Sequence, residues 1–221
     1  MYEKIEIIPI IYANSVLSED QIILGGKKEL VHPISFSIYL IVCGNKRILV
    51  DTGCEEIDGF VFKNYKPVIQ IIREKGFKSE DITDVIITHS HHDHVACVKY
   101  FSNAIIHIHE QEYNNAKSYI TEELKIHLFN EDWDLERNIK IVEVGGHTVA
   151  SCVVIVEGVK KKYLLCGDEF YTAMCIQCGL PTGNSYNREK SLMFLQNIKK
   201  TDYEILYFHD IHMRSQSFFV E

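Results

Sequence analysis

The sequence predicts an α/β (α+β) fold, with a sheet-built core and helices outside it, formed by one domain spanning residues 1–221. Three observations carry this. Short runs of apolar, β-branched residues recur along the chain and are bounded by Gly, Pro and Asn. Two other stretches have helical apolar spacing, so strands and helices must share a core. The 221 residues, 46% hydrophobic and 24% charged, suit one domain with a sizeable core, and no linker or low-complexity tract interrupts them.

In order, Lys4 to Tyr12 reads as a strand. Pro33 to Cys43 and Lys46 to Val50 read as a hairpin turned by Gly44-Asn45, and the second of these runs directly into Asp51-Thr52-Gly53. Pro67 to Lys75 reads as a helix, with proline at its start and Gly76 after its end. Asp84 to Thr88 is a short apolar strand that delivers His89. Ala104 to His109 is another strand, and the polar stretch from Glu110 to Phe129 is helix-prone. Ile139 to Val144, Cys152 to Val156 and Lys162 to Cys166 read as strands, with Lys160-Lys161-Lys162 marking the turn between the last two. Arg188 to Lys199 reads as an amphipathic helix with Leu192, Leu195 and Ile198 on one side. Glu204 to Phe208 is a final strand that delivers His209. Each half therefore runs strands, then helix.

The formal net charge of -8 argues against nucleic acid, which calls for a basic stripe. The seven cysteines are an odd number, most of them inside apolar runs, as expected of reduced, buried thiols in a cytoplasmic protein. The N-terminal MYEKIEIIPIIYAN carries Glu3 and Glu6 and lacks a small-residue cleavage site, so it does not read as a signal peptide. No apolar stretch approaches the ~20 residues of a membrane helix.

The chemistry concentrates in Thr88-His89-Ser90-His91-His92-Asp93-His94. His89, His91, Asp93 and His94 are all metal-ligand types, with imidazole and carboxylate groups that zinc accepts and that iron and manganese also accept. Residues two apart in an extended segment point the same way, so His89 and His91 can share one ion. Asp93 and His94 follow a turn and can reach a second ion, while His92 points away. Three later segments also place a ligand type after a strand: Gly145-Gly146-His147, Gly167-Asp168 and His209-Asp210. Together they complete two coordination shells.

The combined pattern resembles the metallo-β-lactamase superfamily: HxHxDH at His89 to His94, GGH at His147, GD at Asp168 and a late His209, in the family's order. The resemblance implies a four-layer αββα sandwich with two zinc ions (iron or manganese in their place) at one edge. It implies that His89, His91 and His147 hold the first ion, that Asp93, His94 and His209 hold the second, and that Asp168 bridges them. Asp51 matches the family's aspartate that fixes the tautomer of a ligand histidine. Within the superfamily the chain is most similar to the N-acyl homoserine lactonases. Tyr171 lies three residues after Asp168, where those enzymes place a tyrosine over the metals, and FHDIHMRSQSFFVE resembles their C-terminal segment.

The resemblance thus implies a metal-dependent hydrolase that opens a small-molecule lactone or similar ester with a metal-activated water. Tyr171 would donate to the developing oxyanion, and Asp93 would relay a proton to the leaving oxygen. A glyoxalase II-like thioesterase shares the ligand pattern, and a catalytically silent metal-binding sensor would keep the fold without turnover. Val95-Ala96-Cys97 and Val149-Ala150 depart from the family's usual Ala-Gly-Gly and Pro-Gly, which leaves the substrate open. The expected partner is a small molecule, with no nucleic acid and no membrane; the oligomeric state is not written in the sequence. A single Cys175-x-x-Cys178 lacks the second pair of a zinc site and reads as two thiols in a loop or short helix. His107 and His109 read as an ordinary strand pair, and His32, His127 and His212 as isolated side chains.

Overall fold

In the computed structural model, residues 4–220 are described; residues 1–3 and 221, the ends of the expected 1–221 domain and the position of Glu3, lie outside them. Twelve strands form two sheets. Seven belong to the first: β1 (Ile5–Ser18), β2 (Val31–Cys43), β3 (Lys46–Val50), β4 (Asp84–Ile87), β5 (Ile105–His109), β6 (Lys125–Phe129) and β12 (Phe218–Val220). They lie in the order β12-β1-β2-β3-β4-β5-β6, antiparallel as far as β3 and parallel from β3 to β6. The second sheet holds β7 (Trp133–Glu136), β8 (Ile139–Glu143), β9 (Cys152–Glu157), β10 (Lys162–Leu165) and β11 (Tyr203–Leu206), in the order β11-β10-β9-β8-β7. Among the described residues there are six short α-helices, α1 (Glu19–Ile22), α2 (Val68–Glu74), α3 (His92–Val95), α4 (Glu110–Ala116), α5 (Ala173–Cys178) and α6 (Arg188–Ile198), and two single 3-10 turns at Ser79–Asp81 and Val98–Tyr100.

The alternation of side chains along each strand divides the interior into layers. Ile5 and Ile7 of β1, Tyr39 and Ile41 of β2, and Ile48 and Val50 of β3 share one buried cluster with Ile141, Val154 and Leu165 of the other sheet. This is the sandwich core. The opposite faces, with Leu40, Leu49, Val85 and Ile87 on one sheet and Val153 and Leu164 on the other, pack on helical residues. These are Val68, Ile71 and Ile72 of α2 on the first sheet's side, and Leu195 and Ile198 of α6 on the second's. Helices outside two face-to-face sheets give the αββα arrangement. Burial of each such Ile or Leu contributes about 2 kcal/mol, so the strand pattern itself selects this layering.

The Gly44-Asn45 hairpin forms as read, with Cys43 opposite Lys46 and Gly44 at φ 54°. Two readings are corrected, and two strands went unread. β1 continues to Ser18, because its second half pairs with β2 through a bulge between Ile11 and Ala13. The helix-prone 110–129 stretch is helical only to Ala116. Lys125–Phe129 is β6, drawn into the sheet by parallel pairing with β5, which a local polar composition does not reveal. β7 and β12 are sheet-edge strands too short to carry a pattern. Among the described residues, no helix is long and apolar enough to cross a membrane.

Candidate metal centre

Asp51, His89, His147, Asp168 and His209 all follow the C-terminal ends of strands, from β3, β4, β8, β10 and β11 respectively. Those ends meet at one edge of the sandwich, where backbone bonds join the sheets. Cys152 N–H donates to Thr88 C=O at 2.9 Å, and Ser37 N–H donates to Phe208 C=O at 3.0 Å. His91 is extended (φ -66°, ψ 151°) and caps α3, a single turn from which Asp93 and His94 project. Thr52 closes that turn, its N–H and hydroxyl both donating to His94 C=O at 2.7 and 3.0 Å.

The fold brings together all seven metal-ligand types named from the sequence. His89, His91, His147 and Asp168 offer ligand atoms within 4.8 Å of one another, and so do Asp93, His94 and His209. His91 Nδ1 lies 3.0 Å from both His89 Nε2 and His147 Nε2. Asp168 Oδ2 is 3.6 Å from each of those two Nε2 atoms and 3.2 Å from His94 Nε2, while its Oδ1 is 3.3 Å from His209 Nε2. Asp93 Oδ2 lies 3.6 Å from His94 Nε2 and 3.5 Å from His209 Nε2. One carboxylate thus borders both groups. Ligands about 2.0–2.1 Å from a tetrahedral ion stand about 3.3 Å apart, so these separations suit two ions.

The hydrogen bonds behind the imidazoles test this fit. Asp51 Oδ2 accepts from His94 Nδ1 at 2.7 Å, and Ser35 C=O accepts from His209 Nδ1 at 3.1 Å. The Thr88 hydroxyl donates to Asp51 Oδ2 at 2.8 Å, so it can only accept from His89 Nδ1, 3.1 Å away. In all three rings Nδ1 is held as a donor by these partners, and Nε2 is the nitrogen left facing the site. His94 Nε2 and Asp168 Oδ1 are buried without a hydrogen-bond partner. Converging lone pairs and orphaned acceptors are what a pair of cations would satisfy.

The electrostatics agree. Burial, reinforced by the neighbouring His94, holds His89 well below the usual imidazole range. Burial outweighs the opposing Asp168 charge and pushes His147 down to about 3. Burial raises Asp168, but His94 and His209 more than reverse this and hold it well below the carboxylate range. Asp168 and the His89 and His147 rings are thus in the forms that bind metal at neutral pH. Burial of His94 and His209, by contrast, is outweighed by the Asp168 and neighbouring carboxylate charges, which raise both rings above the usual imidazole range, so these two give up a proton when metal binds.

Two buried carboxylates escaped the sequence reading. Glu112 of α4 accepts from Ser90 N–H and hydroxyl at 2.9 and 2.6 Å, and from the Thr148 hydroxyl and Ala150 N–H at 2.7 and 2.9 Å. It ties the His91 loop to the His147 loop. Glu169 accepts from Gly146 and His147 N–H at 3.2 and 3.0 Å and from the Ser151 hydroxyl. A Cβ on Gly146 would stand 2.3 Å from both Glu169 Oε2 and Ser191 Oγ, which explains the glycine. Glu169 is signalled only by its place beside Asp168. Glu112 carries no local signal.

Tyr171 is buried at the site, its ring 5.6 Å from that of His147 and 5.1 Å from that of His209. Burial and the Asp168 charge push its hydroxyl well above the usual phenol range, against a hydrogen bond from Asn184, so it remains a proton donor. With Asn184 it lines a cavity of about 320 Å³ that reaches His91, Asp93, Asp168 and His209 and is walled by Leu17, Ile34, Phe36, Ile57 and Phe60. His92 belongs to neither ligand group. Cys175 is buried in α5 and Cys178 is exposed at its end. His107 pairs with Asp84 at 3.0 Å and His127 at 3.2 Å, while His109 Nε2 lies 3.3 Å from Glu143.

Residues 35–209 match the model of the metallo-beta-lactamase superfamily, and the chain belongs to that family. It is 31% identical over 101 residues to the N-acyl homoserine lactonase AiiB of Agrobacterium fabrum, an alignment covering 39% of this chain and 37% of that one. It is 25% identical over 201 residues to an N-acyl homoserine lactonase of Bacillus cereus, covering 78% of this chain and 80% of that one. A solved N-acyl homoserine lactone hydrolase, with the product N-hexanoyl-L-homoserine at its catalytic metal center, superposes with a TM-score of 0.83 at 21% identity, covering 96% of this chain and 95% of that one. Family and relatives together support a hydrolase.

Proposed function

We propose that this protein is a dinuclear metal-dependent hydrolase that opens a lactone or closely similar ester of a small, partly apolar molecule. The observation that carries the reading is Asp168, bordered on one side by His89, His91 and His147 and on the other by Asp93, His94 and His209. These seven residues would hold two zinc ions, with iron or manganese able to take the same ligands. When bound, such a pair supplies Lewis acidity and lowers the pKa of a water towards ~7.

The rest of the chemistry falls to the chain's own groups. The Tyr171 hydroxyl, kept protonated, donates to the carbonyl oxygen as negative charge develops on it. Asp93, at the cavity surface, carries a proton to the oxygen that leaves the acyl carbon. Leu17, Ile34, Phe36, Ile57 and Phe60 receive the apolar part of the substrate. The product is the ring-opened hydroxy acid. The lactonase relatives favour this substrate class, and the six buried cysteines suit a reducing, cytoplasmic setting.

The test is metal analysis of the purified protein coupled to a panel of an N-acyl lactone, a glutathione-type thioester and a phosphodiester. Two equivalents of metal and ring opening of the lactone are expected. Preference for the thioester would move the assignment to a glyoxalase II-like activity, and two metals without turnover on any of the three would make it a sensor. Retention of metal and activity in His91→Ala or Asp168→Ala would overturn the site.

A further inference from the structure

His92 sits inside the ligand cluster yet belongs to neither ligand group, and its imidazole is engaged at both nitrogens. Nε2 lies 2.8 Å from the Glu56 carbonyl oxygen, and Nδ1 lies 3.0 Å from the Tyr119 hydroxyl. A carbonyl only accepts, so Nε2 carries the proton; in the neutral ring Nδ1 then accepts from Tyr119. Glu56 belongs to the connection between β3 and α2, which also supplies Ile57 and Phe60 to the cavity wall. Within residues 55–60 the one other backbone bond runs internally, from Phe60 N–H to Ile57 C=O at 3.1 Å. Among the described residues, the Glu56 carbonyl is therefore the backbone group by which this segment is fastened to the rest of the protein, beside one side-chain tie in which the Tyr100 hydroxyl donates to Glu55 Oε1 at 2.7 Å. His92 lines the same cavity as Ile57 and Phe60. Beyond the segment, Asn14 and Lys63 exchange backbone bonds of 2.8 Å, and on its near side Cys97 N–H donates to Gly53 C=O at 3.1 Å.

We infer that His92 is a positioning residue that clips the 55–60 segment over the metal centre and thereby sets the apolar wall made by Ile57 and Phe60. Its ring stands on the same one-turn helix as Asp93 and His94, so the wall is referenced directly to the ligands. Phe60 meets Phe36 edge to face at 5.5 Å, and Phe36 meets His209 in the same way at 5.2 Å, which continues the wall to the second ligand group. Substrates with an apolar tail depend on this wall, and substrates without one do not. The link to substrate rests on the hydrolase reading above, whereas the clip itself does not.

Hydrogen exchange of the metal-loaded protein tests the clip without any substrate. In His92→Phe, which keeps a ring and loses both bonds, the Phe60 amide, the hydrogen-bonded amide of the 55–60 segment, is expected to exchange about fivefold faster, with metal content and exchange at residues 147–151 unchanged. Tyr119→Phe, which removes only the outer support, should give a smaller acceleration. On a pair of lactones differing only in tail length, His92→Phe should raise KM more for the long-tailed one, with the smaller change in kcat. Unchanged exchange at Phe60, or metal loss with equal acceleration at both segments, overturns the clip. A protein that opens neither lactone removes the lactone reading and leaves the exchange result to decide the clip by itself.

Discussion

The Asp51 carboxylate and the His94 imidazole meet at 2.7 Å beneath the metal-ligand cluster, both fully buried, and the same carboxylate also accepts from Thr88 N–H at 2.7 Å and the Thr88 hydroxyl at 2.8 Å. Asp51 thus fixes two of the candidate ligand rings, His94 directly and His89 through Thr88. It does so from a left-handed backbone (φ 63°), a conformation that Asp and Asn tolerate better than most residues. Asp51→Asn keeps that backbone but presents an amide where a double acceptor is needed. Metal affinity should fall about 10–100-fold, measured by competition with a chromophoric chelator. Unchanged affinity would remove the tautomer-fixing role.

Tyr171→Phe removes one hydroxyl and leaves the ring contacts with His147 and His209. If the hydroxyl stabilises the oxyanion, kcat on the lactone should fall about 10²-fold with metal content intact. Equal turnover would reduce Tyr171 to a packing residue.

Glu112 is buried and accepts four hydrogen bonds from the two loops that carry His91 and His147. In Glu112→Ala, Ser90 N–H, Ala150 N–H and two hydroxyls lose their partner. The expected destabilisation is about 3 kcal/mol, read from chemical denaturation of the metal-loaded protein. Because His91 and His147 share the first ligand group, one metal equivalent should also bind more weakly. A stable variant with both metals tightly held would show that the loops do not need the tie.

Away from the site, Asp84 lies 3.0 Å from His107 and 2.8 Å from Lys46. Burial works to raise its carboxyl, but the bonds from His107, Lys46 and Thr83 outweigh it and bring it down to about 2. A carboxyl lowered in the folded state stabilises the protein above its unfolded pKa of about 3.9, and that stability is lost as pH falls from there through about 2. Lys46 is one-third exposed, so solvent screening limits the contribution to about 1–2 kcal/mol. Asp84→Asn should therefore be less stable by that amount at pH 7 and converge on the parent protein only as the pH falls below about 2. Parallel denaturation curves at both values check it.

Much of the site was legible because its ligands sit at the ends of apolar strands. His89 after Ile86-Ile87, Asp168 after Leu164-Leu165 and His209 after Leu206 are local arrangements of residue type and strand, visible without any contact. The strand readings failed where pairing, and not composition, made the strand: β6 exists because β5 offers a parallel edge, and the second half of β1 because β2 continues beside it. Glu112 was invisible for a related reason. A glutamate in a polar helix looks solvated until tertiary packing buries it against loops 22 and 36–38 residues away.

By itself, then, the sequence determined a sheet-built core with helices outside it and the identity of the metal-ligand types, since strand patterns and local residue order depend only on neighbours along the chain; the four-layer sandwich came from the family resemblance. Only the tertiary structure decided which lone pairs face the site, how Asp168 comes to border both groups, and that His92 turns from the ligands to hold Glu56. Those features rest on contacts between residues far apart in the chain, such as His91 with His147 at a separation of 56 and His209 with Ser35 at 174. A hydrogen bond fixes a tautomer only once folding has brought its partner within reach.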